Sequence, residues 1–142
     1  MKFADVSEPE VMPVERENII RMPWGLLGFE RIKEYVLLSN PDEAPFFWLQ
    51  VLNDPHLAFL VISPFAAMPT YQPDISAEDV VCLELNQPHD ALVFNIVTLK
   101  PGGRGTVNLR GPIVLNRNTL VAKQVIPLNS AEFDLHYPLP TA

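Results

Sequence analysis

The sequence predicts a mainly β protein: a compact, antiparallel, barrel-like single domain with one short helix. Three observations carry that expectation. Apolar residues come in short runs rich in aromatic and β-branched side chains, each bounded by Pro, Gly, Asn or Asp. The 15 prolines in 142 residues are about twice the usual share, and they lie scattered between those runs, where they end strands and interrupt helices. Finally, residues 46–52 and 57–62 are apolar at nearly every position on both faces, flanking Asn53-Asp54-Pro55-His56. A hairpin open to water on one side would alternate with polar residues, so this one needs cover on both sides. A sheet that closes or folds back on itself supplies such cover and hides its edges.

The elements follow in order. Residues 10–14 and 18–22 are weak strands, the second anchored by Ile19 and Ile20. Met22-Pro23-Trp24-Gly25-Leu26-Leu27-Gly28-Phe29-Glu30 places two glycines and a proline inside an apolar nonamer, which predicts an irregular packed turn. Gly25 and Gly28 are expected in backbone shapes closed to other residues, and Trp24, Leu26 and Phe29 to pin the turn to the core. Residues 29–34 add a helical turn and residues 35–38 a strand. After the central hairpin with its four-residue loop, residues 64–73 are extended and punctuated by Pro64, Pro69 and Pro73. Ser76 is an N-cap for a helix running to about residue 83 or 84, with Glu78 and Asp79 in the first turn and Val80, Val81 and Leu83 on the buried side. Residues 91–99 form a strong strand with Asn95 as the polar exception. Residues 106–109 alternate cleanly, and residues 112–115 continue that strand past a Gly111-Pro112 break read as a bulge. Asn116-Arg117-Asn118-Thr119 is a hairpin loop, residues 120–126 return, and the tail from His136 is extended.

The length suits one domain over residues 1–142, with an ordered core at about 8–139. One cysteine, Cys82, excludes an intrachain disulfide and a cysteine-based zinc cluster. The start MKFADVSEPE has acids where a secretion signal needs an apolar core, and the apolar runs are too short to span a bilayer, so a cytoplasmic location is expected. Net charge is −7, unevenly spread: residues 1–90 hold 15 acids and 5 bases, while residues 91–131 hold no acid and the bases Lys100, Arg104, Arg110, Arg117 and Lys123. An acidic side of this kind repels nucleic acid at the range over which charge acts.

Residue inventory argues against an enzyme. His56, His89 and His136 stand apart, none with a His or Cys at ligand spacing. There is no Gly-x-Ser-x-Gly and no Walker loop. Gly102-Gly103-Arg104-Gly105 leads into a strand rather than a helix N-terminus, so it reads as a hairpin loop and not a phosphate cradle. Cys82 among apolar neighbours reads as a buried, inert thiol, and Trp24 and Trp48 read as core filling. No cofactor and no metal are implied.

A set of stretches in order then carries a resemblance. They are Pro23-Trp24-Gly25-Leu26-Leu27-Gly28-Phe29-Glu30, Pro45-Phe46-Phe47-Trp48-Leu49-Gln50, Asn53-Asp54-Pro55 and Ala58-Phe59, followed by Ile96-Val97-Thr98, Asn108-Leu109, Pro112-Ile113-Val114-Leu115-Asn116 and Lys123-Gln124-Val125-Ile126. Together they resemble the flagellar assembly factor FliW family over roughly residues 8–139; departures at Trp24, Gly111 and Pro127 concern local turns. The resemblance implies a non-enzymatic regulator that binds and antagonises the RNA-binding translational repressor CsrA, a dimer, and also binds flagellin near its C-terminal region. Free flagellin would occupy the factor and release CsrA. Direct contact with nucleic acid or membrane is not implied. Gln50, Asn53, Asp54, Asn108 and Arg110, polar residues within apolar matching stretches, read either as turn formers or as partner-facing. The alternative reading is a small β-barrel that binds single-stranded nucleic acid through the basic 91–131 segment, where Phe94 is the one aromatic.

Overall fold

The computed structural model describes residue 1, residues 19–102 and residues 104–139; the expected strand at residues 10–14 lies outside these. Strands β1 (Ile19–Arg21), β2 (Glu34–Ser39), β3 (Phe46–Val51), β4 (Asp54–Ile62) and β5 (Ala91–Leu99) pair antiparallel in chain order. β5 then serves two partners. Its C-terminal part pairs with β6 (Gly105–Val107) and its N-terminal part with β7 (Ile113–Asn116), which pairs onward with β8 (Ala122–Gln124). β6 and β7 thus follow one another along β5 with residues 108–112 bulged between them, the interruption expected at Gly111-Pro112. β9 (Tyr137–Pro138) adds to β6.

The ends of this path meet at Arg21. Its N–H donates to the Leu120 carbonyl at 3.0 Å, and it forms one isolated parallel bridge with Val121. A single bridge is not a ladder, so the sheet wraps round but stays open where a barrel-like closure was expected. Period-two alternation decides which side chains enter the wrap. Leu49 and Val51 of β3, Val61 of β4, and Leu92 and Phe94 of β5 share the interior cluster. The opposite faces are covered from outside. Val93 and Val114 lie under Ile75, Leu83 and Leu85. Ile62 and Val97 lie under Tyr71, Leu109 and Phe133. The inner face of the central hairpin is therefore packed, but its outer face is covered fully only at Ile62 and is half-exposed at Phe46, Trp48 and Leu60. This falls short of the two-sided cover its sequence predicts, because β5 pairs with β4 only at Val61 and Ile62.

Several local expectations are corrected. Residues 29–33 form turns rather than a helical turn, because a Leu26–Phe29 bridge and left-handed Gly28 hold the chain in reversal. The hairpin turns tightly at Leu52 and Asn53; Val51 then faces Asp54 while Gln50 faces Ala58, so Pro55, His56 and Leu57 bulge out of register. Pro55 has no N–H for the ladder, and Asp54 Oδ1 takes the His56 N–H at 3.2 Å instead. A second helix, α1 (Pro64–Ala67), replaces part of the extended passage, with Pro64 in the first turn where its missing N–H costs nothing. α2 (Ala77–Cys82) starts as expected, Ser76 Oγ accepting the Asp79 N–H at 3.1 Å. Its short length leaves Leu83 buried but Val81 74% exposed and Cys82 exposed, since neighbouring residues on a helix point about 100° apart. The returning strand shrinks to β8, with Leu120 at φ 60 before it and Ile126 exposed after it.

Tyr35 is wholly buried and its hydroxyl has no hydrogen-bond partner; burial pushes its pKa up to about 12. An unpartnered buried hydroxyl is a standing penalty. Tyr35→Phe is therefore expected to raise unfolding free energy by about 1 kcal/mol. Urea titration checks it, and a destabilised variant would show that the hydroxyl is satisfied.

Candidate partner-binding surfaces

The polar residues marked in the sequence fall into two groups. Gln50 is half-buried on β3 opposite Ala58, and Asn53 and Asp54 are exposed at the adjoining turn. Asn108 and Arg110 sit at the β6–β7 junction. Asn108 is committed to that bend: Oδ1 accepts the N–H groups of Arg110 at 3.0 Å and Gly111 at 3.1 Å, and its carbonyl takes Asn95 Nδ2 at 2.7 Å. Arg110 is exposed, but its Nε donates to the Phe133 carbonyl at 2.6 Å, tying the C-terminal segment to the bend. Among the described residues no hydrogen bond or ion pair links the two groups, which sit on different elements, the β3–β4 hairpin and the β6–β7 junction.

The motif residues divide differently from expectation. Gly25 and Gly28 take left-handed φ values of 64 and 88, and Leu26 is buried as the turn's anchor. Trp24, expected in the core, is 43% exposed, with Lys123 Nζ 5.1 Å from its ring centre. Phe29, expected to pin the turn inward, is exposed and lies edge-on to Phe59 at 5.0 Å. Phe46 and Trp48 are half-buried, and Trp48 Nε1 donates to Glu43 Oε2 at 3.2 Å. An indole offers an apolar face together with a polar edge, so it can sit at the surface provided both find partners. Pro112 and Asn116 are buried.

The loop therefore turns outward two side chains expected inside, Trp24 and Phe29. Trp24, Leu27 and Phe29 project from it, and the Leu27 N–H donates to Gln124 Oε1 of β8 at 2.9 Å. Lys123, over Trp24, also donates to Asp79 Oδ1 at 2.6 Å; that bond is the main reason its ammonium is held above the usual lysine range. The readable signal was the pair of glycines: each reversal turns the chain, so an apolar nonamer cannot send every side chain the same way. A second apolar feature is an open groove of about 320 Å³ lined by Phe46, Trp48, Leu60 and Leu99 and rimmed by Asp42 and Glu43. Phe94, the aromatic of the basic segment, is buried in the interior cluster 6.0 Å from the Phe47 ring. Among the described residues no three His, Cys, Asp or Glu side chains gather as a metal site, and no helix is long and apolar enough to cross a membrane.

These features define an antiparallel β domain, wrapped but open, whose distinctive groups lie in surface loops and an edge groove. The FliW protein family model matches residues 6–139. The flagellar assembly factor FliW of Treponema denticola is 38% identical over 130 residues, spanning 91% of this chain and 87% of that protein. That of Leptospira biflexa is 42% identical over 116 residues, spanning 80% and 75%. A crystal structure of the flagellar assembly factor FliW superposes with a TM-score of 0.73 at 31% identity, covering 89% of this chain and 86% of that one. The chain belongs to the FliW family.

Proposed function

We propose that the chain is a non-enzymatic, cytoplasmic regulator of flagellum assembly that switches between two protein partners, the repressor CsrA and the C-terminal region of flagellin. Family membership supports the setting, and the charge distribution supports the mechanism. The first ninety residues carry net −10, with 15 acids against 5 bases, and the rest of the chain offsets this to the overall −7. A protein that holds RNA must offer cationic groups to phosphate. Docking an acidic body beside it lowers the local potential and weakens RNA binding without filling the RNA site. One copy per CsrA protomer, hence two per dimer, suits this mode. Flagellin relieves the antagonism by occupying the same factor.

The deciding experiment titrates this chain into a CsrA–RNA complex at rising salt. Antagonism is expected to decline with ionic strength after correction for RNA's own salt slope; salt-independent antagonism would favour steric or shape-changing inhibition. In the same assay Arg110→Glu is expected to change affinity for CsrA or flagellin by about tenfold, close to 1.4 kcal/mol. Because Arg110 also holds the Phe133 carbonyl, the variant's melting curve is compared first. Unchanged affinity for both partners in a folded variant takes Arg110 out of the interface. The single-stranded nucleic acid reading loses its stacking platform with Phe94 in the core.

A further inference from the structure

β4 runs from Asp54 to Ile62, yet only Val61 and Ile62 pair with β5, opposite Ile96 and Asn95. Continuing the register would set Leu60 against Val97 and Ala58 against Leu99, and neither pair forms. β5 meanwhile pairs residues 97–99 with β6 on its other side. The two strands therefore splay apart, and among the described residues nothing pairs with residues 54–60 along the edge that faces β5. Unpaired strand edges are templates for another strand. Beside this one lies the groove of Phe46, Trp48, Leu60 and Leu99, with Leu99 59% exposed. Phe59 points to the opposite face and is capped by the Phe29 ring, so the groove lies on the outer face alone.

We infer that the β4 edge and its groove receive an extended segment of another protein by strand addition, one that places an apolar side chain in the groove beside a Lys or Arg facing Asp42 and Glu43. Backbone pairing supplies affinity, and the alternate side chains supply selectivity. The charge requirement follows from the groove: Asp42 and Glu43 are the two charged residues among those that line it. The chain's own residues 2–18 fit poorly, with five acids against two bases. A second copy fits poorly too, because edge-to-edge pairing would bring two acidic rims together on bodies of net −7. This inference does not rest on the regulator reading, since neither CsrA nor flagellin enters it.

The test uses the full chain as bait for a display library of random ten-residue peptides, with an unrelated protein of equal net charge as control. The expected result is enrichment of peptides with Lys or Arg within two positions of a large apolar residue. Bound peptide should slow hydrogen exchange at the amides of residues 56–60. Leu99→Ser and Asp42→Lys, both at exposed positions, should each weaken binding at least tenfold while leaving the melting curve in place. Acidic peptides, no enrichment over the control, or protection confined to other strands would each overturn the inference. A concentration-dependent dimer abolished by Leu99→Ser would overturn it in favour of self-association. These outcomes are independent of whether the CsrA–RNA titration succeeds.

Discussion

Asn116→Ala is expected to lower the unfolding free energy by about 3 kcal/mol, roughly 10 °C in Tm for a domain of this size. The side chain is 2% exposed and fully used. Nδ2 donates to the Leu83 carbonyl at 2.8 Å and reaches the Glu84 carbonyl at 3.4 Å, where Glu84 sits at φ 55 and ends α2. Oδ1 accepts the N–H groups of Asn118 at 2.8 Å and Thr119 at 3.2 Å, which shapes the β7–β8 turn. One amide thus joins a helix end to a hairpin turn, and alanine leaves both sets of backbone groups without partners. Asp90 reinforces the same corner. Its carboxylate takes the Asn86 and Gln87 N–H groups and Asn118 Nδ2, and these bonds, Asn86 first, hold it below the usual carboxylate range. A depressed carboxylate contributes stability above its unfolded pKa, and that contribution fades as pH falls through the folded one.

Asn116→Asp separates hydrogen bonding from volume. It keeps the acceptor and turns the donor into an acceptor facing two carbonyls, which disfavours the ionised form and raises the folded pKa. The folded state then binds more protons than the unfolded state, so stability relative to the parent at the same pH should improve from pH 7 to pH 4. Denaturant titrations at both values decide it. A pH-independent deficit would show that the corner opens and hydrates the new carboxylate.

Gly25→Ala is the second large effect, also about 3 kcal/mol, combining a left-handed residue with overpacking. At φ 64 an added Cβ would lie 2.5 Å from Glu30 Cα and 2.8 Å from the Glu30 carbonyl carbon and oxygen, all backbone atoms. The turn at Glu30 must move, and with it the face carrying Trp24, Leu27 and Phe29. Gly28 is the internal control: at φ 88 it faces open space, so Gly28→Ala should cost about 1 kcal/mol from backbone conformation alone. Equal losses in the two variants would mean that the contact with Glu30 relaxes freely. Loss of Lys123 shifts induced by the Trp24 ring current, followed by NMR, would report displacement of the loop in Gly25→Ala.

Much of the domain could be read from local pattern. β5 matches residues 91–99, and Ser76 caps α2 through its hydroxyl. Asn116 opens a turn, and the two glycines adopt the left-handed shapes their setting demanded. These features depend on neighbours within a few residues. The candidate surfaces were less legible. Gln50, Asn53 and Asp54 were marked by polarity alone, as were Asn108 and Arg110, and polarity does not distinguish a side chain closing a bend from one awaiting a partner. Asn108 proved to be closing its bend. Apolar character likewise could not show that Trp24 and Phe29 face outward, because burial depends on what another segment brings to cover them.

Sequence alone determined the strand-rich class, the hairpin at the centre of the sheet, and the acidic surplus, since alternation, proline spacing and charge are properties of the chain. Tertiary structure decided that the wrap stays open at Arg21, that β4 and β5 part beyond Ile96, and that a groove forms in the gap. Those outcomes arise from the accumulated twist of strands far apart in sequence and from which edge each can reach, quantities that no local run of residues encodes.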